Sequence, residues 1–444
     1  MNGQRLGFAE QQVVTKWLSM KGEHTLARPK VAVAMSGGVD SSVACALLLE
    51  KGFEVFSITM KISEAPNDSY DSRIDKSGLG GAYFAIEDAK KVCDQLRVPH
   101  YVVDLTREFE REVIEPFVEG YTQGVTPNPC VVCNPKIKFG HLLAKAEELG
   151  ADYLATGHYA RCGRLRKDTQ ELVENCVSAA VQWAYDRDSG KWEDCCLSPR
   201  TYLVRAKDRD RDQTYVLYGL DQNMLSHAMF PLGNLTKTQV REIAREKGLH
   251  AADRPESQEI CFITQESYRE FLEERNVRFK PGLIVDTAGE VLGCHRGIQN
   301  YTVGQRRGLG IHSPDPLYVI HMDVEENKLI VGKREEGYAH GCYIHRLNFI
   351  MTDDPDSPVH GTCAVRYRGK EVEATLYPPA FLMAKGEEGG ASKDLRDIAY
   401  VKFSTPLFAV APGQSLVFYQ GDFVYGGGTI LKSINESQNG KEGI

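Results

Sequence analysis

The apolar positions change their period along the chain, and the changes mark its parts. Residues 31–35 form a short apolar run with two β-branched members, closed by a glycine turn, which predicts a strand buried on both faces. From Ser41 onward Val43, Leu47 and Leu48 return at helical spacing, and Gly52 supplies a stop. A second strand is expected over 53–62, a helix over 82–96, a third strand over 100–105 and a helix over 106–121. A further helix over 139–149 and a strand over 152–156 complete the alternation. Strands alternating with helices predict an α/β, Rossmann-like parallel sheet covered on both faces. In such sheets ligands sit beyond the carboxyl ends of the strands, so the loops at Ser36, Met60 and Gly157 should converge. Helices are also expected over 213–229 and over 235–249, the second capped by Thr236 and ending near Gly248.

The later pattern is different. Residues 282–311 are glycine-rich, with a hairpin at D-T-A-G-E-V-L-G, and 317–333 reads as strand, turn, strand. Short strands over 362–368, 371–377, 399–403, 415–419 and 423–430 suggest a small β-barrel. Residues 161–200 have no clear period and read as an insertion. Residues 64–81 and 385–393 read as polar loops. The expected division is an N-terminal extension at 1–29 with a short surface helix at 11–20, and a catalytic domain at 30–263. A small central domain at 264–315, a barrel at 316–432 and a flexible tail at 433–444 complete it.

Composition narrows the class. At 444 residues the chain is too long for one ordinary core. No apolar run approaches the roughly 18 residues of a membrane helix, so no membrane partner is expected. A formal charge of −8 argues against a general nucleic-acid coat but leaves room for a local basic face. Twelve cysteines without a signal peptide point to a reducing compartment and to thiol chemistry. The leader lacks an apolar segment and carries Glu10 and Glu23, which favours a bacterial cytoplasm over an organelle.

Three stretches carry chemistry. The first is A-M-S-G-G-V-D-S-S at Ala34–Ser42. A strand, a glycine turn and a helix start present free N–H groups and the positive end of the helix dipole, which is an anion site. Ser36, Ser41 and Ser42 add hydroxyls, and the lysine of a Walker loop is absent. The second is G-V-T-P-N-P-C-V-V-C-N-P-K-I-K at 124–138, where three prolines predict an extended loop carrying Cys130 and Cys133. A redox pair, a metal half-site and a catalytic thiol all remain open for this C-x-x-C, though no second ligand pair lies near. The third is R-P-E-S-Q-E-I-C-F-I at 254–263, where Cys261 alone would read as a core thiol. Cys162, Cys176, Cys195 and Cys196 are spaced too irregularly for a metal motif. His295, Arg296, Arg306 and Arg307 around Tyr301 form a basic, aromatic group suited to RNA.

S-G-G-V-D-S-S resembles the PP-loop of the ATP pyrophosphatases. Together with T-P-N-P-x-x-x-C-N, A-T-G-H-Y, D-Q-T-Y, F-P-L-G, S-Q-E-I-C-F-I, Y-T-V-G-Q-R-R-G-L-G and R-Y-R, in that order, it resembles the tRNA-specific 2-thiouridylases across roughly 30–430. The resemblance implies a PP-loop domain, a small central domain and a C-terminal barrel. It implies that Ala34, Met35, Ser36, Gly37, Gly38, Val39, Asp40 and Ser41, with Met60 and Gly157, bind ATP accompanied by Mg²⁺. The family adenylates the C2 oxygen of the wobble uridine, releases pyrophosphate and AMP, and installs sulfur. Cys261 matches the persulfide carrier and Cys133 the thiol that resolves it through a disulfide. Asn128, Pro129 and Cys130 match the segment that meets the target base. His158, Arg211, Asp212, Gln213, Arg366, Tyr367 and Gln414 match tRNA contacts. The implied partners are the tRNAs for lysine, glutamate and glutamine and a cysteine desulfurase or sulfur-relay protein.

Two positions depart from the family pattern. Cys130 stands where many members carry an acid/base aspartate, and a thiol near pKa 8.5 does not replace a carboxyl near 3.9. Cys130, Cys133 and Cys261 could instead hold an iron–sulfur cluster, whose usual ligands are thiolates. Glu259, where glycine is common, puts a charge beside Cys261. The alternatives are another PP-loop ligase, which needs no paired loop thiols, and a non-catalytic, nucleotide-gated RNA-binding protein.

Overall fold

The computed structural model describes residues 28–63, 81–167, 169–175, 197–252, 260–263, 267–384 and 397–435, with backbone alone at 81–85. The leader helix, both polar loops, Glu259, Cys176, Cys195, Cys196 and the end of the tail lie outside the described residues.

Five parallel strands form the first sheet: β1 (Lys30–Ala34), β2 (Glu54–Lys61), β3 (His100–Asp104), β4 (Tyr153–Ala155) and β8 (Ala228–Met229), in the order β3-β2-β1-β4-β8. Alternation along β1 decides which core each residue joins. Val31 and Val33 face the helices Val39–Glu50, Gly81–Leu96 and Lys237–Glu246, while Ala32 faces the layer of Phe109, Phe117, Ile137 and Leu142. Both faces are therefore covered, which is why the β1 run is apolar throughout. The strand order reverses between β1 and β4, so the crevice beyond their carboxyl ends is the switch point where ligands bind in such sheets.

Three expectations are corrected here. The proline-stiffened loop over 124–138 is helical from Pro129. Pro129 occupies the first turn, where a missing N–H costs nothing, and Pro135 is absorbed by a π-helical stretch at Asn134–Leu142. The single helix expected over 213–229 is two short helices, Thr214–Leu217 and Gln222–His227, followed by β8. The insertion over 161–200 contributes β5 (Arg161–Arg166), β6 (Leu172–Glu174) and the start of β7 (Leu197–Val204), which pair antiparallel.

A four-stranded sheet comes next, β10-β9-β12-β11, from β9 (Gly282–Val285), β10 (Val291–His295), β11 (Tyr318–Asp323) and β12 (Lys328–Gly332). Because β12 pairs with β9, residues 318–332 belong to the central unit and not to the barrel, against the boundary expected at 315/316. The barrel itself is β13 (Tyr338–Phe349), β14 (Val359–Ala364), β15 (Val372–Tyr377), β16 (Ala399–Phe408), β17 (Ser415–Gln420) and β18 (Phe423–Ile434). It closes because β13 pairs with both β16 and β18, which removes the edges. Ser433 and Ile434, expected in the tail, are in that closing pair.

Barrel and first domain share a core: Val417, Tyr419 and Val424 pack into the same cluster as Phe109 and Tyr215. At the seam the Arg205 guanidinium lies 3.5 Å from the Tyr419 ring centroid, 2.6 Å from Glu371 and 3.8 Å from Asp212. Burial raises the Asp212 carboxyl above its ordinary range, opposed by bonds from Thr214 and from the Ala206 N–H. Removing one partner of a buried ion pair leaves the other charge uncompensated. Arg205→Met is thus expected to cost about 3 kcal/mol of stability in equilibrium urea unfolding. An unchanged midpoint would show that the clamp does not hold the seam.

Candidate functional site

The loop after β1 is built by its own hydroxyls. Gly37 takes φ +71°, a conformation that favours glycine, and Gly38 precedes the helix Val39–Glu50 in extended geometry. Ser41 Oγ accepts from the Ser36 N–H at 3.2 Å and lies 3.2 Å from Ser36 Oγ, while Ser42 Oγ donates to the Gly38 carbonyl at 2.8 Å. Thr59 Oγ1 donates to the Met35 carbonyl at 2.7 Å, tying the loop to β2 beside Met60. Ala34, Met35 and Val39 anchor this turn, with Met35 and Val39 buried.

Gly157 closes the crevice from β4. A Cβ there would lie 2.7 Å from the Ser41 nitrogen and 2.8 Å from the Asp40 carbonyl carbon, so only glycine allows this approach of two backbones. Asp40 is held by Lys237 Nζ at 2.8 Å to both carboxylate oxygens and by the Tyr159 hydroxyl at 2.8 Å. Tyr159 in turn exchanges two hydrogen bonds with Gln213: its N–H donates to Gln213 Oε1 at 2.8 Å, and the Gln213 N–H donates to its carbonyl at 2.9 Å. Residues 211–213, expected at tRNA, are thereby one bonded chain away from the anion loop. Asp212 accepts from the Ala206 N–H and the Thr214 hydroxyl, so its carboxylate is turned inward. Arg211 ends the short turn Arg209–Arg211.

The thiols approach from the helix that begins at Pro129. Asn128 Oδ1 caps it by accepting from the Cys130 N–H at 3.2 Å. Cys130 is exposed and Cys133 buried. Lys138, farther along the same helix, has its ammonium 3.5 Å from His158 Nε2. That donor fixes the neutral imidazole with its proton on Nδ1, which lies 2.7 Å from Thr156 Oγ1. Burial first, and Lys138 second, hold His158 well below the usual histidine range. Burial pushes the Cys133 thiol up, opposed by Lys138. Cys261 is exposed as a residue, but desolvation of its thiol by the surrounding protein pushes that group up to about 12, with Cys133 and Cys130 adding to the rise and Lys138 opposing it. Cys130, Cys133, Cys261 and Lys138 thus share one electrostatic neighbourhood.

The barrel reaches the same place. Tyr367 packs against Tyr215 at 6.0 Å, and burial raises its hydroxyl above the ordinary tyrosine range, while Arg366 beside it is exposed. Gln414 Nε2 donates to the Thr126 carbonyl at 2.6 Å, and the Thr126 N–H donates to the Pro412 carbonyl. The strap into Cys130 is gripped from both sides. A Cβ on Gly124 would lie 2.4 Å from Val324 of the central unit, and one on Gly413 of the barrel 2.7 Å from Val125.

Among the described residues no three Cys, His, Asp or Glu side chains are gathered to hold one metal ion. The three thiols therefore do not fit an iron–sulfur cluster in this arrangement. Mg²⁺ is a different case. Asp40 is already committed to Lys237 and Tyr159, so magnesium arriving with ATP would ride on phosphate oxygens and water, its usual habit. Lys138, Tyr159 and Lys237 are the site residues that sequence reading missed. Lys237 lies 197 residues from Asp40, but Tyr159 stands inside the A-T-G-H-Y motif and Lys138 ends the 124–138 stretch, so those two are in view and only their partners are not.

The chain matches the tRNA methyl transferase HUP domain over residues 29–265, the tRNA methyl transferase PRC-barrel domain over 269–333 and the aminomethyltransferase β-barrel domain over 389–430. It is 40% identical to the tRNA-specific 2-thiouridylase MnmA of Symbiobacterium thermophilum, covering 98% of this chain and 99% of that one. It is 42% identical to the enzyme of the same name from Carboxydothermus hydrogenoformans, covering 92% and 99%. A solved 4-thiouridine synthetase in complex with RNA and ATP is 16% identical, covers 56% of this chain and 50% of that one, and has a TM-score of 0.29, too low to bear on function.

The geometry of Gly157 and His158 generates two expected outcomes. Gly157→Ala must push the Ser41 and Asp40 backbone away. ATP affinity measured by calorimetry is expected to fall at least tenfold, about 1.4 kcal/mol, whereas unchanged affinity would place the nucleotide elsewhere. His158 resists protonation when folded, while the unfolded chain takes up its proton near 6.5. Below that pH the unfolded state binds one more proton, so stability falls as pH falls. Between pH 7.5 and 5.5 the native protein should lose about 1.4 kcal/mol more than His158→Gln in urea titrations. Parallel losses would mean that His158 titrates normally.

Proposed function

The chain belongs to the tRNA-specific 2-thiouridylases, and on that footing we propose how its own residues carry the reaction. It is a tRNA-uridine 2-sulfurtransferase that uses ATP and acts on tRNA.

ATP lies with its phosphates on the N–H groups and hydroxyls of Ser36–Ser41 and its nucleoside against Met60 and Gly157. The loop and the positive end of the helix Val39–Glu50 offset phosphate charge without a lysine in the turn. Lys237 holds Asp40 and adds a cation beside it. The C2 oxygen of the wobble uridine attacks the α-phosphorus, pyrophosphate leaves, and the poor leaving group becomes AMP. Asn128, Pro129 and Cys130 meet the base. Arg211, Gln213, Arg366, Tyr367 and Gln414 hold the tRNA or the loops that touch it.

A desulfurase or relay protein loads a persulfide onto Cys261, an exposed residue of the chain. The outer sulfur attacks C2 and AMP departs. The Cys133 thiolate then attacks the Cys261 sulfur, and the bond to the uridine sulfur breaks. The products are 2-thiouridine and a Cys133–Cys261 disulfide, which a thiol reductant returns to two thiols with two electrons. Burial keeps both thiols protonated at rest, so the ammonium of Lys138 is the group that favours their ionised forms. Cys130 brings a thiol's donor capacity to the base but not a carboxyl's acidity. Because the family acts on the tRNAs for lysine, glutamate and glutamine, those acceptors and a cytoplasmic setting fit the same reading.

The single observation that carries this scheme is that three thiols and one ammonium share a neighbourhood whose cation also touches the loop closing the anion crevice. The test is 2-thiouridine by nucleoside mass spectrometry, after incubation with unmodified tRNA, ATP, Mg²⁺, a cysteine desulfurase and cysteine. Cys133→Ala and Cys261→Ala should each lower product at least 100-fold, about 2.7 kcal/mol, while tRNA-dependent pyrophosphate release from the adenylation step persists. Full thiolation in either variant would remove that cysteine from the scheme.

A further inference from the structure

Beside Tyr367 of the barrel lies an open cleft of about 340 Å³, which shares only Arg366 with the residues given a part in the reaction. Its walls carry Arg334, Arg366 and Lys370, and its floor is Phe408, with Tyr338 and Thr405 at the sides. Arg334 comes from the segment joining the central unit to the barrel, Arg366 and Lys370 from the turn between β14 and β15, and Phe408 from the end of β16. Among the described residues that line it none is acidic, although the whole chain carries a formal charge of −8. The aromatic floor is fixed in place. Phe408 packs edge-on against Tyr318 at 5.3 Å and lies 5.6 Å from Tyr338, while the Arg334 guanidinium stands 5.0 Å from its ring centroid. Gly337 allows this packing, since a Cβ there would lie 2.6 Å from the ring.

We propose that this cleft binds a second nucleotide of the tRNA, distinct from the target uridine, taking its phosphate between Arg334, Arg366 and Lys370 and stacking its base on the Arg334–Phe408 layer. The inference rests on the tRNA thiolation proposed for this chain. Three cations without a carboxylate suit a phosphodiester, and a guanidinium plane over an aromatic ring is a stacking platform for an unpaired base. Continuity with the reaction site supports RNA over an acidic protein surface. Tyr367 packs on Tyr215, two residues after Gln213, while its neighbour Arg366 lines the cleft, so one strand of RNA can pass from one to the other. The effect is to fix the register of the anticodon arm by a contact outside the reacting base.

The test uses the full chain and full-length unmodified tRNA. Binding is measured by fluorescence anisotropy between 50 and 200 mM salt, and thiolation at saturating tRNA. Arg334→Gln/Lys370→Gln should raise Kd about tenfold and lower the slope of log K against log salt by about 0.7, as expected for one single-stranded phosphate that is no longer neutralised. Thr405→Trp fills the cleft without removing charge and should weaken binding while leaving the slope as it was. In both, thiolation at saturating tRNA should stay within about twofold of the native rate. Native Kd in either variant, in a protein that itself binds and thiolates tRNA, overturns the inference and leaves the enzyme reading standing. Normal tRNA binding with impaired sulfur delivery from the desulfurase would assign the cleft to the donor protein and also overturn it. Failure of the native protein to thiolate tRNA would remove the premise for both.

Discussion

Two backbones meet where Gly157 lies against Ser41 and Asp40, and the site is arranged around that contact. A side chain on residue 157 would force the β1 and β4 loops apart. With none, the start of the helix Val39–Glu50 and the turn after β4 form one crevice at the point where strand order reverses. The two residues after Gly157 are then aimed by it. His158 turns to Lys138, and Tyr159 turns to Asp40 and Gln213. One turn therefore joins the glycine loop after β1, the helix that bears Cys130, Cys133 and Lys138, and the segment expected at tRNA.

The second constraint is that the thiols are placed from three directions. The Cys130–Cys133 helix belongs to the first domain, but the strap leading into it is held by Val324 of the central unit and by Gly413 and Gln414 of the barrel. A shared core and the Arg205 clamp prevent the barrel from sliding on the first domain. This explains why a chain whose chemistry lies in one α/β domain carries a closed barrel: the barrel helps set the position of the helix that bears two of the cysteines. It also packs Tyr367 against Tyr215 of the first domain.

Electrostatics in the site favour neutral groups at rest. His158 is held unprotonated, and Cys133 and Cys261 are held as thiols, each chiefly by burial. Lys138 acts on all three in the same sense, toward the neutral imidazole and toward thiolate. Thiols held neutral in this way react slowly as nucleophiles until the local charge changes.

Local pattern was enough for much of this. The apolar run of β1, the glycine turn, the helical return of Val43 and Leu47, and the Thr236 cap each depend on near neighbours, and each stands where its pattern predicts. The motif order identified the family for the same reason, because each motif is a short contiguous string. Tertiary structure decided the rest. Three prolines read as a loop, but Pro129 can begin a helix and a π-turn can absorb Pro135, and only packing selects that outcome. Residues 161–200 lack a period because β5 and β7 find their register against each other across the gap. The pairing of Lys237 with Asp40, of Lys138 with His158 and of Arg205 with Glu371 spans 197, 20 and 166 residues. No local period encodes such pairs; they exist only after the sheet, the central unit and the barrel have closed around one another.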